Sequence, residues 1–138
     1  LAANAPPIAR RFAEAFWPGP LTIVLPARRG TPPELVGPTG GVGVRVPAHH
    51  VARDLAAALG GPLTATSANR SAKPPAKTLA AARAAFGAKV KVYLEGGTLD
   101  APRPSTVIAV RGDEWKMIRE GAVPGPELAA ALASGSLT

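Results

Sequence analysis

Apolar positions along the chain recur with two periods, and each period predicts a different element. Ile8, Phe12 and Phe16 stand four apart behind Pro6 and Pro7, the spacing of an amphipathic helix whose first turn tolerates proline and which ends before Pro18. Leu21 to Leu25 is an apolar run between Pro20 and Pro26, long enough for a strand and too short for a helix. Residues 28 to 41 read as loop. Val42, Val44 and Val46 then alternate with Gly43 and Arg45, which predicts a strand that buries one face, displays Arg45 on the other and stops at Pro47.

Helical spacing returns at Val51, Leu55 and Leu59, so a helix is expected from about Ala48 to Leu59, stopped by Gly60-Gly61. A strand over about Pro62 to Thr66 follows. Thr78 suits the N-cap of a helix that carries Leu79, Ala82 and Phe86 and closes at Gly87. Further strands are expected at Val90 to Leu94, Thr106 to Val110 and Trp115 to Arg119, the last two joined by a turn at Gly112-Asp113 and therefore antiparallel. A last helix covers about Glu127 to Ala133. Strands interleaved with helices predict one α/β domain whose twisted sheet is mixed parallel and antiparallel and flanked by helices, with no repeat and no second domain.

Composition sharpens this picture. A chain of 138 residues fits one domain with a real core. Alanine is the commonest member of the 46% hydrophobic fraction, with two Trp, one Tyr and three Phe, so packing rests on Leu, Val, Ile and a few rings. Sixteen Pro and fifteen Gly punctuate the periodic segments instead of forming a low-complexity tract. The absence of cysteine excludes disulfides and thiolate metal sites and is compatible with a reducing compartment. No apolar run approaches the roughly 18 residues of a membrane-spanning helix, and the first residues do not form a secretory leader. A soluble, cytoplasmic protein with no membrane partner is expected.

Net charge is +7, from 16 basic and 9 acidic residues, and it is unevenly placed. Between Asp54 and Glu95 there is no acid, while Arg70, Lys73, Lys77, Arg83, Lys89 and Lys91 fall there. Such a field attracts phosphates, of a nucleotide or of RNA, and also serves as an ordinary solvated surface.

The sharpest chemical feature is Thr64-Ala65-Thr66-Ser67-Ala68-Asn69, small and hydroxyl-rich, between an apolar segment and Lys73-Pro74-Pro75. Small side chains let a ligand approach the backbone, Ser67 and Asn69 offer hydrogen bonds to phosphate oxygens, and Arg70 or Lys73 would help neutralise them. The same composition suits a polar turn whose hydroxyls satisfy their own backbone. It is not a Walker loop, since Gly-Lys-Ser/Thr is missing. Arg45, a lone guanidinium in a valine-rich strand, needs either a partner such as a carboxylate or the solvated face of an edge strand. Ser105 and Arg119 stand at strand ends. His49 and His50 are adjacent, which does not converge two ligands on a metal, and Trp17 beside Pro18-Gly19-Pro20 reads as core packing more than as a binding platform. No Ser/His/Asp triad or paired-carboxylate site is present, so no catalytic side chain is assigned.

Five segments in order, FWPGPLT (Phe16 to Thr22), VGVRVPAH (Val42 to His49), GGPLTATSAN (Gly60 to Asn69), STVI (Ser105 to Ile108) and IREGAVP (Ile118 to Pro124), resemble the YrdC-like threonylcarbamoyl-AMP synthase family across almost the whole chain. The resemblance implies a YrdC-like fold and a nucleotidyltransferase that condenses L-threonine, bicarbonate and ATP into threonylcarbamoyl-AMP with release of pyrophosphate. It further implies tRNA as the eventual acceptor, modified next to the anticodon by a tRNA-threonylcarbamoyl transferase complex, an affinity for double-stranded RNA, and Mg²⁺ accompanying ATP with no protein ligand legible. By position, Arg45, Ala65 and Ser105 would hold L-threonine, and Ser67, Asn69, Pro75 and Arg119 would hold ATP. Such chemistry rests on alignment and charge neutralisation instead of a side-chain nucleophile.

Two positions depart from the family pattern. Gly41 stands where a nucleotide-contacting Thr is usual, and Ser71-Ala72 replaces Ser-Gly, which strains alanine if that position takes a positive φ. The family's N-terminal portion, with a threonine-binding Thr and a Lys-x-Arg segment, has no counterpart before Leu1. Residues 1–138 are therefore expected to be the C-terminal part of one YrdC-like domain, inactive on their own. Two other readings stand beside this one: a basic RNA-binding module without chemistry, and the YrdC-like domain of a hydrogenase-maturation carbamoyltransferase.

Overall fold

The computed structural model describes residues 4–99 and 103–133. They fall into two compact units, Leu1–Ala48 with Arg103–Thr138, and His49–Pro102.

The first unit is built on a four-stranded sheet of order β2-β1-β3-β4. Its strands are β1 (Leu21–Pro26), β2 (Gly41–Val44), β3 (Thr106–Arg111) and β4 (Glu114–Arg119). β1 runs parallel to β3, while β2 and β4 pair antiparallel on the two flanks, so the mixed sheet expected from the sequence is present. The period of two puts Leu21, Ile23 and Leu25 on one face with Ile108 and Val110, all buried, while Thr22, Val24, Val107 and Ala109 point the other way and are half-buried.

Helices α1 (Pro7–Phe16) and α4 (Gly125–Ala133) supply the rest of this core. Phe12 is fully buried and meets Trp115 edge-on with ring centroids 5.4 Å apart, and Leu128 of α4 is buried beside them. The Arg11 guanidinium donates to the Leu132 carbonyl, tying the two helices together. Trp17 packs against the cluster and donates its indole N–H to the Leu21 carbonyl over 2.7 Å, the packing role the sequence favoured. β2 is shorter than expected and ends at Val44, leaving Arg45 and a partly exposed Val46 beyond it. Beyond Leu21 the neighbouring chain is Pro18-Gly19-Pro20, whose prolines carry no N–H, and the Gly19 N–H donates to the Val46 carbonyl at 2.8 Å.

In the second unit α2 (His50–Leu59) and α3 (Leu79–Phe86) form where the periodicity placed them. The Thr78 hydroxyl caps α3 by accepting from the Ala81 N–H at 3.1 Å. The strands expected at Pro62 to Thr66 and Val90 to Leu94 do not form: both segments are irregular, and no strand occurs among the described residues of this unit. A strand exists only through its ladder, and an apolar run without a paired neighbour stays outside any sheet. Val92 and Leu94 are accordingly well exposed.

Candidate functional site

The sheet topology decides which residues meet. β1 and β3 begin, and β2 and β4 end, at the same end of the sheet. Thr22 pairs with Val107, and Val107 with Arg119. Arg45 directly follows Val44, the last residue of β2, which pairs with Ile23 of β1. Three residues of the first unit that the sequence singled out, Arg45, Ser105 and Arg119, thus stand along one end of one sheet.

Ser105 and Arg119 touch. An Arg119 Nη2 donates to the Ser105 carbonyl at 2.8 Å and reaches the Ser105 hydroxyl at 3.3 Å. The Thr22 hydroxyl lies 3.0 Å from that of Ser105. Arg45 is exposed, and no hydrogen bond or ion pair engages its guanidinium among the described residues, leaving a bidentate donor for a carboxylate.

What fixes Ser105 lies just behind it. Thr106 is completely buried and makes three hydrogen bonds through one hydroxyl: it donates to the Val123 carbonyl (2.6 Å) and accepts from the N–H groups of Gly121 (2.9 Å) and Val123 (3.0 Å). The Ala122 N–H adds a bond to the Pro104 carbonyl at 2.9 Å. The approach is so close that a Cβ on Gly121 would sit 2.3 Å from the Pro104 oxygen, so only glycine fits. The start of β3 is thereby clamped to the segment that follows Arg119.

The second unit holds the other expected residues. Ala65 and Ser67 are exposed on the irregular segment before the loop, and the Ser67 carbonyl accepts the Asn69 N–H at 2.9 Å. The loop is closed by the Ala76 N–H on the Ala68 carbonyl (2.8 Å), and the Arg70 Nε donates to the Ala85 carbonyl of α3 (2.9 Å). Between loop and helix lies a cavity of about 310 Å³ whose lining includes Asn69, Arg70, Lys73, Pro75 and Lys77, at the small end of the range for ligand pockets. Asn69 and Pro75 are brought together there, whereas Ala65 and Ser67 are not part of the lining. Asn69 donates through Nδ2 to the Arg70 carbonyl at 3.1 Å, but its Oδ1 is buried with no partner, an acceptor that a ligand N–H or O–H would satisfy.

Both departures from the family pattern have structural counterparts. Ala72 has φ of +62°, so alanine stands in the left-handed region that glycine adopts without cost. Gly41 is buried against β1, and a Cβ there would come within 2.6 Å of Val24 Cγ1 and 3.2 Å of the Leu25 oxygen. A threonine at that place conflicts with Val24, which accounts for the glycine.

Sequence reasoning missed Thr22 and Thr106. Thr22 had a signal, being the polar member of an alternating strand, but its partner is 83 residues away. Thr106 had none, because only its burial shows that its hydroxyl faces inward. His49 bonds the Gly96 carbonyl through Nε2 at 3.0 Å and stacks on His50, the structural role expected of the pair. No group of three or more His, Cys, Asp or Glu converges among the described residues, and no helix among them is long and apolar enough to cross a membrane.

Known proteins share this sequence and fold. The chain is 48% identical over 102 residues to a threonylcarbamoyl-AMP synthase of Thiobacillus denitrificans, a match that covers 74% of this chain and 54% of that protein. The crystal structure of Pyrococcus abyssi Sua5 complexed with L-threonine superposes with a TM-score of 0.87 at 34% identity, over 96% of this chain and 39% of that one. Escherichia coli YciO shares the fold, with a TM-score of 0.69 at 24% identity over 88% of this chain and 59% of that one. The chain spans about half the length of the curated relatives it matches. The Sua5/YciO/YrdC family model, described as telomere recombination, matches residues 1–121. With the strand pairing, the Ser105–Arg119 contact and these likenesses in agreement, the chain belongs to the Sua5/YciO/YrdC family.

Proposed function

We propose that the chain is the C-terminal part of one YrdC-like domain acting as an L-threonylcarbamoyladenylate synthase. The observation that carries this reading is the row at one end of the sheet, a disengaged Arg45 just past the end of β2 and a Ser105 hydroxyl held by Arg119 beside Thr22, in a chain so like a Sua5 that binds L-threonine.

In this reading Arg45 pairs with the threonine carboxylate, Ser105 donates to the same amino acid, and the Ala65 backbone completes the recognition. Ser67, Asn69, Pro75 and Arg119 serve ATP, with Lys73 and Lys77 adding positive charge for its phosphates. The threonine amine takes up bicarbonate to give a carbamate and water, a carbamate oxygen attacks the α-phosphorus of ATP, and pyrophosphate leaves. No side-chain nucleophile is required, because holding the carbamate in line and neutralising the departing charge lower the barrier. Mg²⁺ would accompany ATP, bridging its phosphates and keeping several of its own waters. The product would pass in the cytoplasm to a transferase complex that modifies tRNA. The acid-free basic stretch would also hold double-stranded RNA through its phosphates.

The test is calorimetric titration of the chain with L-threonine and with ATP. Arg45→Ala should weaken threonine at least tenfold with little effect on ATP, and Asn69→Ala should do the reverse. Equal threonine affinity in wild type and Arg45→Ala would remove the basis for the assignment.

A further inference from the structure

Ser105 has one hydroxyl hydrogen and two lone pairs, and the structure says how they are shared. Arg119 Nη2 points a cationic N–H at one lone pair from 3.3 Å. Thr22 Oγ1, at 3.0 Å, has no other protein partner among the described residues, so its hydrogen goes to Ser105 or to solvent. Both hydroxyls are half-buried on the face away from the helices, and Thr22 is held there by its pairing with Val107. An arriving acceptor oxygen would take the Ser105 hydrogen, and Thr22 would then donate into the lone pair left open. An arriving donor would find one lone pair facing a guanidinium and the other contested by Thr22.

We infer that Thr22 is a positioning residue that, with Arg119, makes Ser105 a hydrogen-bond donor and so selects an acceptor oxygen, the carboxylate of the amino acid, at this end of the sheet. The inference rests on the threonine-site reading of Ser105 given above and adds a residue which that reading does not contain. The chain Thr22 to Ser105 to carboxylate is cooperative, since each donated bond polarises the next and the Arg119 charge strengthens both.

The experiment is titration of the intact chain, wild type and variants, with L-threonine and with L-threoninol, which keeps the amine and side-chain hydroxyl but lacks the carboxylate. Thr22→Val, close in shape but without the donor, should weaken L-threonine at least fivefold and leave the feebler L-threoninol unchanged. Thr22→Ser should restore affinity to within twofold, and Thr22→Val combined with Ser105→Ala should bind no worse than Ser105→Ala alone, as expected for residues acting through one path. Thr22→Ala serves the same purpose if the valine variant does not fold. If the Thr22 variants bind like wild type while Ser105→Ala is weakened, or if the two losses multiply, the relay is wrong and the threonine site stands. If wild type does not bind threonine, or neither Ser105→Ala nor Arg45→Ala alters binding, the site reading falls and the relay falls with it.

Discussion

Replacing Thr106 by valine keeps the shape of the side chain and removes one oxygen. That oxygen serves three buried backbone groups, the Val123 carbonyl and the N–H groups of Gly121 and Val123, at 2.6 to 3.0 Å. The residue is fully buried, so water does not replace it without opening the clamp. A buried polar group left without its partner costs about 1–3 kcal/mol, and with partial relaxation three of them amount to roughly 3–5 kcal/mol. Against a domain stability of about 5–15 kcal/mol, that is a large fraction. Thr106→Ser is the control: it keeps the hydroxyl, loses a methyl and leaves a small void, at a cost of about 1 kcal/mol. Hydrophobicity alone orders the variants the other way, with valine the better core residue. Urea denaturation followed by tryptophan fluorescence is suitable, because Trp17 and Trp115 both pack against the core of this unit. Valine should lower the midpoint several times more than serine. A valine variant as stable as wild type, or more stable than the serine variant, would refute the clamp.

Three further outcomes are expected. Ala72→Gly should stabilise the second unit by about 1 kcal/mol, because alanine at a φ of +62° carries a steric cost that glycine avoids; thermal unfolding or hydrogen exchange of the 67–77 loop checks this. Gly41→Thr should destabilise by about 1–3 kcal/mol through collision with Val24, and combining it with Val24→Ala should return much of the loss in a double-mutant cycle. ATP affinity should fall several-fold between about 0.05 and 0.5 M NaCl if exposed Lys73 and Lys77 supply long-range attraction, and Lys73→Ala with Lys77→Ala should flatten that dependence.

What could be read from the residues alone divides along a physical line. Local signals succeeded: the i, i+4 spacing of Ile8, Phe12 and Phe16, the Thr78 cap and the Gly112-Asp113 turn each act within a few residues, and α1, α3 and the β3–β4 hairpin stand as expected. Pro62 to Thr66 and Val90 to Leu94 carry strand-like composition, but a strand depends on a distant partner that composition does not reveal. The site follows the same rule. Arg45, Ser105 and Arg119 were legible by resemblance, Arg45 also as a lone guanidinium in a valine-rich segment and the other two as polar residues at strand ends. Thr22 and Thr106 were not, because their roles come from parallel pairing of β1 with β3 and from a buried hydroxyl. Ala72 was legible as an irregularity, and its backbone angle supplies the physical content; Gly41 was too, and Val24 explains it.

The central claim is that this chain carries the threonine-recognising part of a threonylcarbamoyl-AMP synthase. Its most direct test is a chimera in which the 102-residue matching stretch replaces its counterpart in the Thiobacillus denitrificans synthase. ATP, L-threonine and bicarbonate are supplied, and threonylcarbamoyl-AMP and pyrophosphate are measured. The folded chimera should form both products in equal amounts, only when threonine is present, and lose them on Arg45→Ala, while residues 1–138 alone form neither. A folded chimera that makes no threonylcarbamoyl-AMP, or that is indifferent to Arg45→Ala, would contradict the account.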